Sequence, residues 1–460
     1  MKTEEENMEQ KICIYEETNF KNTELGEIPA DWEVVKLGDI FEIKQGKQLS
    51  SKEPTLNKIK RPFLRTSNVL WGKVDTSKLD EMYFTVGEFE SLKLEQGDVL
   101  VCEGGDIGRT AIYEGDLPEC AYQNHIHRLR ARSSTTWSKF FMYWMNFAIK
   151  LRHLYVSSGN VTTIPNLSSS RLKNFQVPLP PLEEQKAVAY VLSTVQEARE
   201  KTEKIIEATK ELKKSLMKHL FTYGPVSLEE ASRINLKETE IGEIPTDWEV
   251  VKLGDLQKKG CLRIKNGFAQ GNWNDEGIGI PQIRPFNITE DGRINFESMK
   301  YVQFSEGIED YALQPGDVIF NNTNSEELVG KTAYWNREGK FTLSNHMTLL
   351  RVEKNEILDP LFLASYLHKN WMDGFYLQVR RRYVNQASVT LNVLKELLIP
   401  LPPLPVQQRI AEILQTVDEK IQAEEKKKQA LDNLFNSMLH MLMSGKLRVK
   451  FQTSEEGASN

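Results

Sequence analysis

The chain repeats one domain-sized unit. Residues 26–39 read GEIPADWEVVKLGD and residues 242–255 read GEIPTDWEVVKLGD, with a single difference between them. A second matched pair follows at a similar offset, VPLPPLEEQ at 177–185 and IPLPPLPVQ at 399–407. The repeat is far longer than the roughly 20–50 residues of solenoid repeats. The pattern therefore predicts two duplicated domains, and a twofold protein of this kind suits a twofold or bipartite target.

Composition narrows the class of protein without indicating a ligand. The four cysteines lie far apart and form no CxxC pair, which is typical of reduced thiols in the cytosol and predicts no disulfide framework or zinc site. The acidic start MKTEEENMEQ lacks the features of a signal peptide, and no apolar run approaches the roughly 18 residues of a membrane span. The net charge of −6 gives no compositional support for nucleic-acid binding. We therefore expect a cytoplasmic protein.

Each copy has the pattern of an α+β domain. Short apolar runs separated by Gly, Pro and Asn predict strands in the first copy at Ile40–Ile43, Tyr83–Phe84, Asp98–Cys102 and Ala111–Tyr113. Helical spacing of apolar residues predicts a helix at Trp137–Val156, and Leu361–Leu377 takes its place in the second copy. The segments between the matched parts differ widely. We infer a shared scaffold whose loops and faces have diverged.

A long helix is predicted after each domain, directly behind a Pro-Pro-Leu turn. Apolar residues recur at three- and four-residue steps over residues 188–219 and 410–442, which is the a/d pattern of a coiled coil. The predicted seam of the first helix includes Ile205, Leu212 and Leu216. Forty helical residues span about 60 Å. We expect the two helices to pair as an antiparallel coiled coil, with the two domains related by pseudo-twofold symmetry.

These patterns divide the chain into seven parts. The acidic first part is expected to be a mobile or loosely docked arm. The parts are an N-terminal arm at 1–23, a first domain at 24–180, a first long helix at 181–222, a linker at 223–239, a second domain at 240–402, a second long helix at 403–446 and a C-terminal tail at 447–460.

Motifs for catalysis are absent from the sequence. A phosphate-binding loop requires a glycine five residues before the Gly-Lys-Thr at 330–332, and that position is Ser325, so a tight turn is favoured. Gly277 and Gly279 have no third glycine in a strand–turn–helix context, which excludes a dinucleotide site. No methyltransferase or nuclease motif is present, and no two histidines have metal-ligand spacing. The sequence therefore predicts no catalytic site, no metal site and no cofactor.

Arginine–asparagine pairs are candidates for base reading. Arg65 with Asn68, and Arg284 with Asn287, combine the side chains that read guanine and adenine edges in a major groove. A strand-end salt bridge with an Asn turn explains the same residues equally well. The densest basic cluster is Arg-Arg-Arg-Tyr at 380–383, for which phosphate contact is favoured over a solvated face.

Other candidates occur at matched positions of the two copies. For the Asn-His dipeptides at 124–125 and 345–346, a strand-end hydrogen bond is favoured over contact with a base or phosphate. Lysines that follow the first strand of each domain are placed to touch the DNA backbone. The complete set of candidate DNA-binding residues is Lys44, Lys47, Arg65, Asn68, Arg109, Asn124, His125, Lys265, Asn266, Arg284, Asn287, Lys331, Asn345, His346, Arg380, Arg381, Arg382 and Tyr383.

The matched segments resemble those of one family, the specificity subunits of type I restriction-modification enzymes. The resemblance rests on Gly-Glu-Ile-Pro-x-Asp-Trp at 26–32 and 242–248, and on Leu-Pro-Pro-Leu with a following Gln at 179–185 and 401–407. The long helix behind each domain completes it. Nearly the whole chain is covered, and the twice-repeated order of these segments is highly specific.

The resemblance implies a non-catalytic subunit with two tandem target-recognition domains. Each domain would read one half of a bipartite double-stranded DNA target, and the helices would set the spacer and dock two methyltransferase (M) subunits. S-adenosylmethionine would belong to those partners, and ATP and Mg²⁺ to restriction/translocase (R) subunits, all in a prokaryotic cytoplasm. The alternative from another class is a two-domain scaffold that binds proteins through its coiled coil and reads no DNA.

Overall fold

The computed structural model describes two compact units. The first unit holds the chain up to Thr202 together with the chain from Lys427 onward, and the second unit holds Glu203–Lys426. Within the residues described, no helix is both long and apolar enough to cross a membrane. The described residues are 11–49, 58–104, 106–117, 119–154, 167–269, 272–304 and 307–452.

A four-stranded antiparallel sheet forms the centre of the first unit. The four strands predicted for this domain are all present, with slightly shifted ends. The central strands, in spatial order, are Phe41–Gln45, Ile126–Ala131, Val99–Cys102 and Thr110–Ile112. A second sheet has the order Ala121–Tyr122, Ile59–Leu64 and Asp80–Phe84. Two-stranded ribbons join Glu33–Lys36 to Gln176–Leu179 and Phe20–Thr23 to Gly26–Pro29. Short helices cover Leu37–Ile40, Val86–Leu92 and Ser169–Lys173.

The second unit repeats this order of elements, which confirms the predicted α+β duplication. Its central sheet has the order Leu262–Asn266, Met347–Val352, Val318–Asn321 and Thr332–Tyr334. Its second sheet has the order Trp273–Asn274, Lys300–Val302, Ile280–Ile283 and Thr342–Leu343. The two ribbons join Glu249–Lys252 to Leu398–Leu401 and Leu236–Thr239 to Gly242–Pro245. A further sheet has the order Thr323–Asn324, Ala387–Ser388 and Arg381–Arg382. Short helices cover Leu228–Ala231, Leu253–Lys258 and Leu391–Glu396.

The helix predicted at Trp137–Val156 differs from the structure in its second half. The α-helix covers Ser138–Met145, and a π-helical stretch continues it over Asn146–Leu151. Phe147 and Ile149 are buried in this stretch, so apolar spacing alone does not distinguish the two helix types. Residues 155 and 156 lie outside the described part of the chain.

The helix predicted at Leu361–Leu377 is also two helices. The first covers Pro360–Met372, where the Asp359 side chain accepts a hydrogen bond from the Phe362 backbone N–H at 2.8 Å. The second covers Tyr376–Val379. Between them Gly374 has a φ of +73°, a left-handed conformation that commonly ends a helix.

The repeated sequence letters have equivalent structural roles in the two units. The Gln185 side chain accepts from the Trp137 N–H at 2.8 Å and donates to Pro180 O at 2.8 Å. Gln407 accepts from the Asp359 N–H at 2.9 Å and donates to Pro402 O at 2.8 Å. Both glutamines are buried. The Pro-Pro-Leu…Gln segment therefore has the same role in both units. It ties the long helix to the start of another helix of the same domain, Ser138–Met145 in the first unit and Pro360–Met372 in the second.

The two long helices cover Leu182–Tyr223 and Leu404–Met443. In the first unit Arg199 pairs with Asp432 at 2.5 Å. In the second unit Lys213 pairs with Asp418 at 2.6 Å. Lys210 of the same unit pairs with Glu425 at 3.1 Å. A higher residue number in the first helix is thus matched by a lower one in the second, which confirms antiparallel pairing in this unit.

The buried face of the first long helix is displaced from the predicted seam in the second unit. Ile205 and Leu212 are 40 % and 53 % exposed, whereas Ile206 and Met217 are buried. The buried positions have moved by one residue. An α-helix drifts by about 20° per heptad relative to a strict seven-residue repeat, so a seam counted from the start of the helix is wrong several turns later.

The two ends of the described chain form one ribbon in the first unit. Ile12–Glu16 pairs antiparallel with Leu447–Phe451. Of the two alternatives predicted for the arm, mobile or loosely docked, the structure therefore excludes the mobile one for residues 12–16. Composition showed only that the arm is acidic, and the strand that covers it lies more than four hundred residues away. Residues 1–10 and 453–460 lie outside the described part of the chain.

Arg448 fixes this ribbon to the body of the unit. Its guanidinium donates to Glu184 at 2.5 and 2.7 Å, to Asp31 at 2.9 and 3.0 Å, and to Glu17. Trp32 donates its indole N–H to Glu184 at 3.1 Å. We call Arg448, Glu17, Asp31 and Glu184 the Arg448 cluster. It joins the N-terminal segment, the first matched motif, the first long helix and the last strand.

Candidate nucleic-acid interface

The structure brings together several predicted residues at one end of the central sheet of the first unit. The strands ending at Gln45 and beginning at Ile126 are neighbours there. The segment behind Gln45 runs beside the loop before Ile126, since the Asn124 N–H donates to Lys47 O at 2.9 Å. Lys44, Lys47, Asn124 and His125 thus share one surface, on which the His125 side chain is 61 % exposed.

A polar cluster lies beneath this surface, and none of its three members was among the candidate residues predicted from the sequence. The Gln45 amide donates to Glu103 at 3.1 Å and to Asn124 O at 2.9 Å. Behind Glu103, the buried His127 donates from Nε2 to Leu167 O at 3.1 Å. Burial lowers the pKa of His127, so its ring is neutral near pH 7. We call Gln45, Glu103 and His127 the Glu103 cluster.

The second unit has a different set of side chains at the equivalent place. Asn322 donates to Thr348 Oγ1 at 2.9 Å, and Thr348 donates to Asn266 Oδ1 at 2.9 Å. The Asn322 N–H donates to His346 O at 3.0 Å, and its side chain to Asn345 O at 3.3 Å. We call Asn266, Asn322 and Thr348 the Asn322 cluster. The predicted residues Asn266, Asn345 and His346 therefore lie together.

The lysines on these surfaces differ in how strongly they are held. Lys47 pairs with Glu88 at 2.6 Å. The hydrogen bond from Lys47 is the largest cause that lowers the pKa of Glu88 to about 2. Lys265 lies with its Nζ 3.6 Å from the centre of the Tyr311 ring. Lys44 is half-buried, and its carbonyl accepts from the Tyr122 hydroxyl at 3.2 Å.

The Arg65–Asn68 pair forms the turn that was the alternative to base reading. The Asn68 side chain accepts from the Arg65 N–H at 2.9 Å and donates to Asp75 O at 2.9 Å and Lys78 O at 3.0 Å. Arg65 pairs with Asp80 at 2.5 Å. Asn68 is buried, so the prediction that it reads a base is not supported by its position.

The second arginine–asparagine pair repeats this geometry. The Asn287 side chain accepts from the Arg284 N–H at 2.9 Å and donates to Asn295 O at 2.9 Å. Asn287 is buried as well. Its amide is used by the protein's own backbone, as that of Asn68 is. The turn is the role that the structure supports at both positions.

Two further candidates serve the interior. Lys331 is buried, and its ammonium donates to Ile288 O. Burial lowers its pKa. Arg109 donates from Nη2 to Thr66 O at 2.9 Å and is half-buried. The prediction of DNA contact at Lys331 is not supported, because this residue is buried.

The predicted basic cluster at 380–383 lies on a hairpin next to the Asn322 cluster. Arg380 is held by Glu326, whereas the Arg382 side chain is 68 % exposed. The Val389 N–H donates to Asn322 O at 2.9 Å and so ties the hairpin to the sheet end. Within the described residues, no group of three or more His, Cys, Asp or Glu side chains is arranged to hold a metal ion.

Gly46→Ala is expected to destabilise this end of the first unit by about 1–3 kcal/mol, the usual cost of overpacking. A Cβ at residue 46 would lie 2.3 Å from Gln123 O and 2.4 Å from Tyr122 O, both backbone atoms. Gly267 has the same close approach in the second unit, 2.1 Å from Ser344 O. Chemical denaturation of the full chain measures the change.

Gly87→Ala is the matched control for that substitution. Gly87 lies in the short helix Val86–Leu92 and has no atom within 4 Å of an added Cβ. Alanine there is expected to be neutral or to stabilise by up to about 1 kcal/mol. Equal effects of the two substitutions would contradict a tight approach at Gly46.

A family model matches most of the chain. The model of the type I restriction modification DNA specificity domain matches twice, at residues 29–211 and 245–433. A putative type I restriction enzyme MjaX specificity subunit of Methanocaldococcus jannaschii is 30 % identical, over 95 % of this chain and 99 % of the relative. The MjaVIII specificity subunit of the same organism is 27 % identical, over 95 % of this chain and 98 % of the relative.

Solved structures show the same fold. The S subunit of the type I restriction-modification system from M. genitalium superimposes with a TM-score of 0.57 at 16 % identity, over 90 % of this chain and 96 % of that chain. A chain from a structure describing complex assembly and conformational transition of the type I R-M system gives 0.54 at 19 % identity, over 91 % and 99 %. With two matches to the family model and relatives that align from end to end, the chain belongs to the family of type I restriction enzyme specificity subunits.

Proposed function

We propose that this chain is the DNA-recognition subunit of a type I restriction-modification complex and that each unit reads one half of a bipartite target. The observation that carries the proposal is the equivalent placement of the Glu103 and Asn322 clusters. Each lies at the equivalent end of the central sheet of its own unit, beside an Asn-His dipeptide with one exposed residue.

The two clusters hold their exposed amides with different side chains. Gln45 and Asn266 are the exposed members, and such amides suit adenine, whereas the remaining members are buried and position them. The scaffold around these groups is duplicated, whereas the groups themselves are a Gln/Glu/His set in one unit and an Asn/Asn/Thr set in the other. Two half-targets of different sequence require this combination.

In this proposal the chain has no catalytic role and binds no cofactor. Methyltransferase partners would carry S-adenosylmethionine and transfer the methyl group to adenine, and translocase-nuclease partners would use ATP and Mg²⁺. Phosphate contact dominates the affinity of most DNA-binding proteins. The net charge of this chain is −6. We therefore infer that the partners supply much of the phosphate contact.

Exchanging residues 30–176 for the corresponding segment of another family member is expected to replace one half-site and leave the other unchanged. The donor should keep Asp and Trp at positions 31 and 32, because Asp31 contacts Arg448 and Trp32 contacts Glu184. Long-read detection of N6-methyladenine in the host, with and without the hybrid gene, measures the target.

The reciprocal hybrid, with residues 246–398 exchanged, is the matched control and should replace only the other half-site. A hybrid that changed both halves or neither would show that the units do not read independently. A mobility-shift assay of the full chain with its methyltransferase tests DNA binding itself. The absence of any sequence-specific shift would favour a protein-binding scaffold.

A further inference from the structure

A hairpin of the second unit carries the most exposed apolar side chain among the described residues. Arg381–Arg382 and Ala387–Ser388 are its paired strands, with Arg381 opposite Ser388 and Arg382 opposite Ala387. All six residues from 381 to 386 are exposed. Val384, at the tip, is 99 % exposed. Removing apolar surface from water stabilises a fold. Because the Val384 side chain stays in water, it gains no such free energy of burial in this unit.

The root of the hairpin is fixed. Ala387 and Val389 are buried in the core of the second unit. Ala387–Ser388 also pairs with Thr323–Asn324, the strand that directly follows Asn322. Glu326 holds Arg380, and it lies 3.3 Å from Arg382 Nε. The root is thus anchored by a buried apolar contact, a second strand and an ion pair.

The tip is a closed turn. The Tyr383 N–H donates to Gln386 O at 2.8 Å, which leaves Val384 and Asn385 as its central residues. A ribbon with a fixed root and a hydrogen-bonded turn can present side chains to a partner without first being ordered by it, and preorganisation of that sort improves affinity.

The exposed groups have the chemistry of base recognition. Arg381 has no ion pair, and the side chains of Asn385 and Gln386 have no hydrogen bond, among the described residues. Arginine pairs with guanine, asparagine and glutamine pair with adenine, and a branched methyl group contacts the thymine methyl. Arg381 and Arg382 on the hairpin and Arg380 at its root face the single carboxylate of Glu326, and this excess of positive charge suits a polyanion better than a protein surface of mixed charge.

We propose that residues 381–386 form the base-reading ribbon of the second unit and enter the major groove of its half-site, an inference that rests on the function proposed above. A two-stranded ribbon fits the width of that groove. Arg381, Val384, Asn385 and Gln386 touch base edges there. Arg380 does not touch DNA but positions the ribbon through Glu326.

A selection from a randomised duplex library tests this assignment. The probe is the full chain in complex with its methyltransferase subunits, and the wild type first defines the two half-sites. For Arg381→Ala, and for Asn385→Ala combined with Gln386→Ala, we expect lost preference at one or two positions of the second unit's half-site. Each lost base contact should weaken binding to the wild-type target by about tenfold to a hundredfold. The other half-site should not change.

Lys258→Ala is the matched control for the arginine substitution. Lys258 belongs to the same unit, its side chain is 81 % exposed, and its removal takes away the same charge. The selected sequence and the affinity should equal those of the wild type. The variants alter only exposed side chains, and unchanged thermal unfolding shows that each is folded.

Three results would overturn the assignment. One is an unchanged consensus in both hairpin variants, and another is a change in the first unit's half-site. The third is an equal loss of affinity for all duplexes, which would reduce the hairpin to a phosphate contact. A wild-type complex that selects no bipartite sequence would overturn the proposed function itself, a result that the wild-type arm alone identifies.

Discussion

Arg448→Ala is expected to lower the free energy of unfolding of the first unit by about 3–5 kcal/mol, as is usual when one partner of a buried charge cluster is removed. The Arg448 side chain is 7 % exposed and serves three carboxylates. Without it, the buried Glu184 keeps a charge for which the Trp32 indole N–H is the remaining side-chain donor among the described residues. The ribbon that joins residues 12–16 to residues 447–451 would also lose its attachment.

Denaturant titration of the full chain measures this change. Arg409→Ala is the matched control. Arg409 pairs with Glu412 on the exposed surface of the second long helix, and both side chains are more than half exposed. Such pairs contribute about 0–1 kcal/mol. If the two substitutions had equal effects, the Arg448 cluster would not hold the chain ends.

The loss of stability in acid, compared between the wild type and Arg448→Ala, provides an independent test of the Arg448 cluster. The hydrogen bond from Arg448 is the largest cause that lowers the pKa of Asp31 below its ordinary value of 3.8. A lowered carboxylate pKa contributes stability that is fully present above the ordinary value and is lost as the pH falls through the lowered one. Below about pH 4 the wild type should therefore lose the stability that the lowered pKa of Asp31 contributes. Arg448→Ala lacks the hydrogen bond that lowers this pKa, so its stability should not show this loss.

Removing one heptad from both long helices is expected to shorten the spacer between the half-sites by about three base pairs without changing the half-sites. Seven helical residues span about 10.5 Å, and successive base pairs are about 3.4 Å apart along each strand. The expectation follows from the proposal that the helices set the separation of the two target halves. The N6-methyladenine map of a host that carries the shortened chain reports the spacer directly.

The structure indicates which residues to delete. Deleting 199–205 and 426–432 removes both members of the Arg199–Asp432 pair, so neither member of that pair is left without the other. Lys213–Asp418 and Lys210–Glu425 remain. A seven-residue deletion also keeps the phase of the apolar seam. The double substitution Arg199→Ala with Asp432→Ala, without deletion, is the control and should keep the wild-type spacer. An unchanged spacer in the shortened chain would contradict the role of the helices.

The polar sites were predictable where they depend on matched positions of the two copies. Lys44, Asn124 and His125 have counterparts in Lys265, Asn345 and His346, and the structure places each set at one sheet end. Gln45, Glu103 and His127 were missed because their residue types differ from those at the equivalent positions of the second copy, which are Asn266, Asn322 and Thr348. Aligning polar residues by position, without requiring the same type, would have found them.

The side chains of Asn68 and Asn287 show where residue type misleads. Both amides suit adenine, yet each is buried and bonded to backbone atoms further along the chain. No local pattern predicts that the acceptors are the carbonyls of Asp75 and Asn295, because in each unit the acceptor belongs to the segment that follows the turn and folds back over it. The hairpin was only partly predicted. The arginines at 380–382 were visible as a charge cluster, whereas the exposure of Val384, Asn385 and Gln386 at the tip depends on the buried root at Ala387.

The sequence by itself determined the duplication, the α+β class and the two long helices, because repeated motifs, apolar periodicity and proline placement act over short stretches of chain. Tertiary structure decided which helix face is buried in the second unit, where Ile206 and Met217 are buried while Ile205 and Leu212 are exposed. It also decided that the ends of the described chain form one ribbon. Those outcomes depend on partners far apart in sequence, as with Arg448 and Glu17, and on the drift of a helix against its heptads, neither of which a local pattern records.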